Sequence, residues 1–95
     1  MEETEFYKKS HKKLQDLATT LEDNDRLEID YLDGVLYINL ENLSQYVLNV
    51  HLPSKQIWFS SPISGADYFY YDEFNHIWIN KMKVELDAKL KDELA

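Results

Sequence analysis

The amino-acid sequence predicts one α+β domain over residues 1–95, arranged as a two-layer sandwich. In this fold an N-terminal and a C-terminal helix pack on one face of a mainly antiparallel sheet of about six strands. Three observations support the prediction: apolar residues recur at helical spacing near both ends, they alternate with polar residues in between, and short turns separate the alternating segments. Short turns indicate antiparallel neighbours, because parallel strands need crossovers of a dozen residues or more.

The first helix is predicted over residues 4 to about 23. One stripe of this helix has steps of three and four residues and consists of Phe6, Ser10, Leu14, Leu17 and Leu21, of which only Ser10 is polar. That spacing matches an amphipathic helix with one face on the core. Asn24-Asp25 is expected to end the helix, and the apolar period then changes to two.

Six short strands are predicted next, at residues 27–31, 35–40, 45–51, 56–60, 68–71 and 77–79. Asp33-Gly34, between the first two, is the dipeptide of a two-residue hairpin turn. The segment 61–65 contains a proline and a glycine and is predicted as the longest loop. A closing helix of about ten residues is indicated by the four-residue spacing of Leu86, Leu90 and Leu94.

The composition restricts the classes of function. The chain has 18 acidic and 10 basic side chains and a formal net charge of −8 at pH 7. This charge argues against nucleic acid, whose phosphates would be repelled, and favours a basic protein partner or cations. The absence of cysteine excludes disulfides, thiolate zinc sites and cysteine nucleophiles.

The termini and apolar runs bear on the cellular location. No apolar run approaches the roughly 18–20 residues that span a bilayer, so no membrane association is expected. The first residues are acidic and resemble neither a signal peptide nor a transit peptide. The cytosol is therefore the expected location, although a processed organellar protein would show the same pattern.

Acidic residues are concentrated where the first helix ends and the first strand begins. Residues 22–33 hold one basic side chain, Arg26, and six carboxylates: Glu22, Asp23, Asp25, Glu28, Asp30 and Asp33. Such crowding destabilises a fold, particularly at a helix C-terminus. Carboxylates without His or Cys suit Ca²⁺, Mg²⁺, Mn²⁺ or Fe²⁺. A solvated acidic edge without a ligand is the alternative interpretation, because no spacing matches an EF-hand.

Trp58 is predicted to lie on the solvent face of the sheet. Ile57 and Phe59 flank it and supply the core by alternation, so the indole projects to the opposite face. Asn49, on the preceding strand, and Gln56 are expected beside it. A large aromatic side chain among amides is typical of a protein-binding hot spot. The alternative is that a loop or a neighbouring side chain covers Trp58.

No catalytic residues are predicted. The three histidines fall on different elements without metal-binding spacing, and they are His11, His51 and His76. The serines lack the context of a hydrolase nucleophile, and the chain has no glycine-rich phosphate loop. Whether the protein is an enzyme therefore stays open, with a non-catalytic role favoured.

The segment Lys55–Gly65, which reads KQIWFSSPISG, resembles the frataxin family. The likeness extends over nearly the whole chain, through the acidic first helix, the Asp-Gly hairpin, Trp78 in the sixth strand and the leucine-rich last helix. It includes departures from the family pattern. Ala66 stands where the family has proline after the glycine, and Val50-His51 replace a basic residue and glutamine.

The resemblance implies an iron-binding accessory protein of iron–sulfur cluster assembly. Such a protein docks on the complex of a cysteine desulfurase with its scaffold protein and modulates the delivery of sulfur and iron. The implied ligands of weakly bound Fe²⁺ or Fe³⁺ are the six carboxylates above together with Asp16. The implied docking face consists of Asn49, Gln56 and Trp58.

The resemblance also leaves alternatives open. One is a ferroxidase that stores iron, an activity also attributed to the family, and another is an adaptor that works without metal. A monomer is expected, with iron-dependent oligomers as the alternative. The implied location is the cytoplasm for a bacterial protein, or the mitochondrial matrix for a processed one.

Overall fold

A computed structural model describes all 95 residues. The elements in chain order are α1 (Glu3–Leu21), β1 (Leu27–Leu32), β2 (Val35–Leu40), β3 (Gln45–His51), β4 (Gln56–Ser61), β5 (Gly65–Asp72), β6 (Ile77–Ile79) and α2 (Leu86–Leu94). All neighbouring strands are antiparallel, and the sheet order follows the sequence from β1 to β6. This architecture confirms the predicted α+β fold. Neither helix is long and apolar enough to cross a membrane.

Helix α1 packs its predicted stripe on the sheet. Phe6 and Leu14 are almost fully buried, and so is Ser10, whose hydroxyl donates to the Phe6 carbonyl at 2.7 Å. This bond satisfies a polar group that would otherwise be costly to bury. The helix ends at Leu21, about two residues before the predicted end, because the Asn24 N–H bonds to the Leu21 carbonyl and begins a turn.

The core lies between the two helices and one face of the sheet. Alternate residues of the central strands point into it, and the largest fully buried side chains include Tyr46, Phe59, Phe69, Leu36, Ile38, Leu48 and Ile57. Aromatic rings meet edge to face, with centroids 5.6 Å apart for Phe59 and Phe69. The opposite face of the sheet has no covering layer, so its side chains face solvent.

The β1–β2 hairpin has the turn that its dipeptide predicts. Asp33 and Gly34 both adopt positive φ, at 49° and 82°, as a two-residue type I′ turn requires. A Cβ on Gly34 would lie 2.9 Å from Cε1 of His11 on α1. The positive φ favours glycine at this position, and a larger residue would also have to displace the His11 ring.

The predicted loop at residues 61–65 is wrong, and so is the predicted start of β5 at Tyr68. Strand β4 continues to Ser61, β5 already begins at Gly65, and these two residues pair. The connection is short because the Ser61 hydroxyl accepts hydrogen bonds from the N–H groups of Ile63 and Ser64. The proline, serine and glycine here form a tight hairpin rather than a long loop.

Helix α2 is held on the sheet by polar contacts as well as by Leu86 and Leu90. The Glu93 carboxylate accepts hydrogen bonds from the hydroxyls of Tyr46, Ser61 and Ser64. Partial burial raises the pKa of Glu93, but these hydrogen bonds outweigh it, and the pKa lies below its ordinary value. The charged form of Glu93 therefore stabilises the docked helix.

Candidate metal-binding ridge and docking face

Six carboxylates form a continuous exposed band, which we call the acidic ridge: Glu22, Asp23, Asp25, Glu28, Asp30 and Asp33. The ridge starts at the C-cap of α1, passes through the following turn, and continues along β1 to the β1–β2 hairpin. Exposure alternates along β1, and this places Glu28 and Asp30 on the solvent face of the sheet. No basic residue lies in the last turn of α1 to offset the charge there.

The ridge does not converge on one point. Glu28 and Asp30 are two residues apart on an extended strand, which separates their Cα atoms by about 7 Å. Nowhere do three or more His, Cys, Asp or Glu side chains form a group that could hold a metal ion. The donors are carboxylate oxygens, which suit hard or borderline cations. A cation on this ridge would contact one or two carboxylates and keep water in its remaining positions.

Asp16 lies apart from the ridge. It lines the surface between α1, α2 and β6, and its carboxylate is 2.8 Å from the ammonium group of Lys12. Both side chains of this pair are largely exposed, so the contact is worth little in stability. The structure therefore groups six of the seven predicted metal ligands and separates the seventh.

Glu41 joins the acidic residues at one end of β1. It lies with Asp25 and Glu28 around an open hollow of about 400 Å³, together with Arg26. Leu40 pairs with Leu27 across the β1–β2 ladder. This register brings Glu41, which follows β2, beside Asp25 and Arg26, which precede β1. Sequence reasoning missed Glu41 because it stands alone in the sequence, although the antiparallel hairpin would have indicated its neighbours.

Trp58 occupies the solvent face of the sheet, as strand alternation predicts. The side chain is 37% exposed. Asn49 stands directly opposite on β3, and the Gln56 side-chain oxygen accepts a hydrogen bond of 3.2 Å from the indole N–H. The structure therefore places the three predicted docking residues together, and we call them the docking face.

Two further side chains hold the indole. The imidazole of His51 stacks on Trp58 with a centroid distance of 3.8 Å, and Tyr68 of β5 meets it edge to face at 5.7 Å. Tyr68 is the cross-strand partner of Trp58, and His51 is the partner of Gln56. Sequence reasoning did not identify either residue, because only the register between strands shows that they are neighbours.

The strand part of the ridge and the docking face point to the same side of the sheet. Three strand spacings separate β1 from β4, which corresponds to about 14 Å. A single protein partner of ordinary size covers such a distance. The two surfaces can therefore act together on one partner.

The three histidines make separate contacts with hydroxyl groups. His11 Nδ1 is 3.1 Å from the Tyr31 hydroxyl, His51 Nδ1 is 2.7 Å from Ser54 Oγ, and His76 Nδ1 is 3.2 Å from the Tyr71 hydroxyl. His11 also stacks on Tyr7 with a centroid distance of 3.9 Å. His11 therefore has a packing role between α1 and the sheet.

Comparison with known proteins gives a consistent result. A family model described as a frataxin-like domain matches residues 1–95. The chain is 36% identical over 101 residues to mitochondrial frataxin of Arabidopsis thaliana, a match that covers 99% of this chain and 54% of the plant protein. It is 43% identical over 53 residues to mitochondrial frataxin of Dictyostelium discoideum, covering 56% of this chain and 28% of the relative. The chain thus spans about half the length of the plant relative.

Solved structures agree in fold. Frataxin from Psychromonas ingrahamii superposes with a TM-score of 0.88 at 20% identity, covering 99% of this chain and 89% of that one. Trimeric frataxin from the yeast Saccharomyces cerevisiae, described as complexed with ferrous iron, has a TM-score of 0.78 at 28% identity and covers 90% and 81% of the two chains. With the family model matching every residue, the chain belongs to the frataxin family.

Proposed function

We propose that this protein is an iron-binding accessory protein of iron–sulfur cluster assembly. It binds iron on the acidic ridge and docks through Trp58 on the complex of a cysteine desulfurase with its scaffold protein, where it modulates the delivery of sulfur and iron. Membership of the frataxin family supports this function, as does the description of a yeast relative in complex with ferrous iron. The proposed location is that of the complex, the bacterial cytoplasm or the mitochondrial matrix of a processed form.

The observation that carries the iron-binding part is the ridge itself. Six exposed carboxylates lie between residues 22 and 33 with one basic side chain among them. Ligands of this kind leave most coordination positions to water, so iron binds weakly and at more than one position. Weak binding suits a protein that passes iron on, because a closed site would hold the ion.

The docking part follows from the arrangement of the two surfaces. Exposed negative charge attracts a basic surface over a long range and accelerates association. The partly exposed indole and its amide neighbours then provide short-range contacts, which chiefly limit the rate of dissociation. The ridge and Trp58 thus have separate roles in binding one partner.

The test is an anaerobic titration with Fe²⁺ in which the backbone amide NMR resonances are monitored. We expect perturbations confined to residues 22–33 and Glu41, with dissociation constants in the micromolar range or weaker. The variant Asp25→Asn/Glu28→Gln/Asp30→Asn should lose the perturbations around residues 25–30, where its three carboxylates are removed. A control with Glu2→Gln, Glu3→Gln and Glu5→Gln changes the net charge equally and should keep them.

A tight nanomolar site with His11 or His76 as a ligand would contradict the proposal. Dioxygen uptake with repeated turnover on addition of air would instead support a ferroxidase. If the affinity for the desulfurase–scaffold complex changes neither on addition of iron nor with the ridge substitutions, the result would support an adaptor that works without metal. Light scattering during the titration reports whether iron drives association of the monomer, since two of the similar yeast structures are trimers.

A further inference from the structure

A small hollow opens on the solvent face of the sheet beside Trp58. Its volume is about 140 Å³. Two cross-strand rows on β3, β4 and β5 form it, and their members are Val47, Ser60 and Ala66 in one row and Asn49, Trp58 and Tyr68 in the other. Small side chains next to two aromatic rings leave the space between the rows open.

The lining of this hollow excludes several kinds of ligand. No charged side chain lines it, so it has nothing to bind a metal ion or a phosphate group. Its volume is well below the roughly 300–1,000 Å³ of typical small-molecule sites. It is close to the engineered cavity of about 150 Å³ that accommodates benzene. The space therefore suits a compact apolar group of a few carbon atoms.

Its surroundings indicate a protein side chain as that group. Asn49 and Gln56 border the aromatic rings and offer hydrogen bonds to a backbone or a polar side chain. In protein–protein interfaces, an apolar pocket surrounded by such groups typically binds one side chain of the partner that contributes much of the binding energy. A lipid chain is disfavoured, because the net charge of −8 opposes approach to an anionic membrane.

We propose that the hollow receives one aliphatic side chain, of the size of Leu, Ile or Met, from the protein that docks on Trp58. The inference rests on the proposed function, since it takes the desulfurase–scaffold complex as that protein. Trp58 and Tyr68 form the aromatic wall of the pocket, and Ala66 leaves it open. The size of residue 66 thereby determines whether the partner can insert its anchor.

The experiment fills the pocket without substituting either aromatic residue. Ala66 is exposed, so Ala66→Leu should fold normally and place four carbons in or over the hollow. Binding to the purified desulfurase–scaffold complex is measured by surface kinetics for wild type, Ala66→Leu, Ala66→Ser, Gln45→Leu and Trp58→Ala. Ala66→Ser keeps the pocket open, and Gln45→Leu adds the same side chain to the same face outside it.

We expect Ala66→Leu to weaken binding at least tenfold with an unchanged melting temperature, and the two controls to stay within about threefold of wild type. If Ala66→Leu binds normally while Trp58→Ala does not, the pocket proposal is wrong and the docking face stands. If neither substitution affects binding, the docking face itself is wrong. Absence of wild-type binding would overturn the proposed function and this inference with it.

Discussion

The indole of Trp58 is fixed on three sides while more than a third of it stays exposed. His51 stacks on one face, Tyr68 meets its edge, and Gln56 accepts its N–H. These contacts restrict the side chain before any partner arrives. Because ordering a side chain on binding costs about 0.5–1.5 kcal/mol, this preorganisation would favour the docking proposed above.

Trp58→Ala is expected to cost much less stability than the about 3–5 kcal/mol of a buried tryptophan truncation, because the indole lies outside the core. It should weaken binding to the desulfurase–scaffold complex by about 2 kcal/mol or more. Thermal melts and surface-binding kinetics measure the two effects. Trp78→Ala is the buried control, with a large loss of stability. A destabilised Trp58→Ala protein that binds normally would assign Trp58 to the core.

Gly34→Ala is expected to destabilise the fold more than Gly65→Ala. Both positions have φ near +80°, where a side chain costs about 1–2 kcal/mol. Only at Gly34 would the new Cβ also press on His11, at 2.9 Å, whereas nothing lies within 4 Å at Gly65. Urea denaturation compares the two variants. When His11 is also replaced by alanine, the loss of stability caused by Gly34→Ala should come closer to that caused by Gly65→Ala. If Gly34→Ala costs the same stability with and without His11, the packing argument is contradicted.

At the scale of elements, α2 depends on partly buried polar contacts because it is short and terminal. Besides Glu93, Lys89 donates to the Asp67 carboxylate at 2.9 Å, and Asn80 donates to the same oxygen at 2.8 Å. Partial burial raises the pKa of Asp67, but these hydrogen bonds outweigh it and the pKa is lowered. Both carboxylates thus stabilise the docked helix only while they are charged.

Glu93→Gln is expected to lower the free energy of unfolding by about 1–2 kcal/mol at pH 7. The folded pKa of Glu93 lies below its ordinary value of 4.5. Its stabilisation is therefore complete above that value and is lost as the pH falls through the folded pKa. Denaturation curves from pH 7 to 3 should show wild type and variant converging. Asp92→Asn, at the exposed neighbouring residue, should leave the free energy of unfolding almost unchanged. A difference in stability between wild type and Glu93→Gln that stays constant across this pH range would contradict the linkage.

At the scale of the whole molecule, the negative charge is unevenly distributed. The ridge lies along the β1 edge of a protein that measures 38 × 27 × 20 Å, whereas several lysines on α1 and α2 are paired with carboxylates. The Cα atoms of Glu28 and Asp30 are about 7 Å apart on the extended strand, which is less than the Debye length of about 8 Å at physiological salt. The ridge carboxylates therefore repel one another, and their field would attract the basic surface of the proposed partner.

Asp23→Asn and Asp25→Asn are each expected to raise stability by a few tenths of a kcal/mol at low salt, because they relieve repulsion at the C-terminus of α1. The gain should shrink at about 1 M salt, where the Debye length is near 3 Å. Thermal melts at the two salt concentrations measure it. Asp16→Asn, which breaks the pair with Lys12, should give no gain. Unchanged or lower midpoints for both ridge variants would reject the repulsion argument.

Neutralising Glu22, Asp23 and Asp25 together is expected to slow association with the desulfurase–scaffold complex and leave dissociation nearly unchanged. The reason is that exposed charge acts mainly on the encounter. Added salt should slow the association of the wild-type protein in the same way, and it should change the association rate of the triple variant less. Trp58→Ala should show the reverse pattern, with faster dissociation. A triple variant whose association rate equals that of wild type would exclude electrostatic steering by the ridge.

The sequence by itself determined the features that arise from local periodicity and turn chemistry. The stripe of α1, the Asp33-Gly34 turn and the outward position of Trp58 follow from spacings of a few residues, which backbone geometry converts directly into faces and turns. The acidic ridge was also evident, because its members are close in sequence. Local composition was misleading at residues 61–65, where hydrogen bonds to the Ser61 hydroxyl closed a tight turn.

Only the tertiary structure decided which residues meet across strands and between layers. The register between β3, β4 and β5 brought His51 and Tyr68 to Trp58 and opened the hollow at Ala66. The hairpin brought Glu41 to the ridge, and packing of the helices on the sheet brought Asp16 close to residues of α2 and β6. These neighbours are distant or isolated in the chain, and they become adjacent because backbone hydrogen bonding sets one register and burial of the core sets one face.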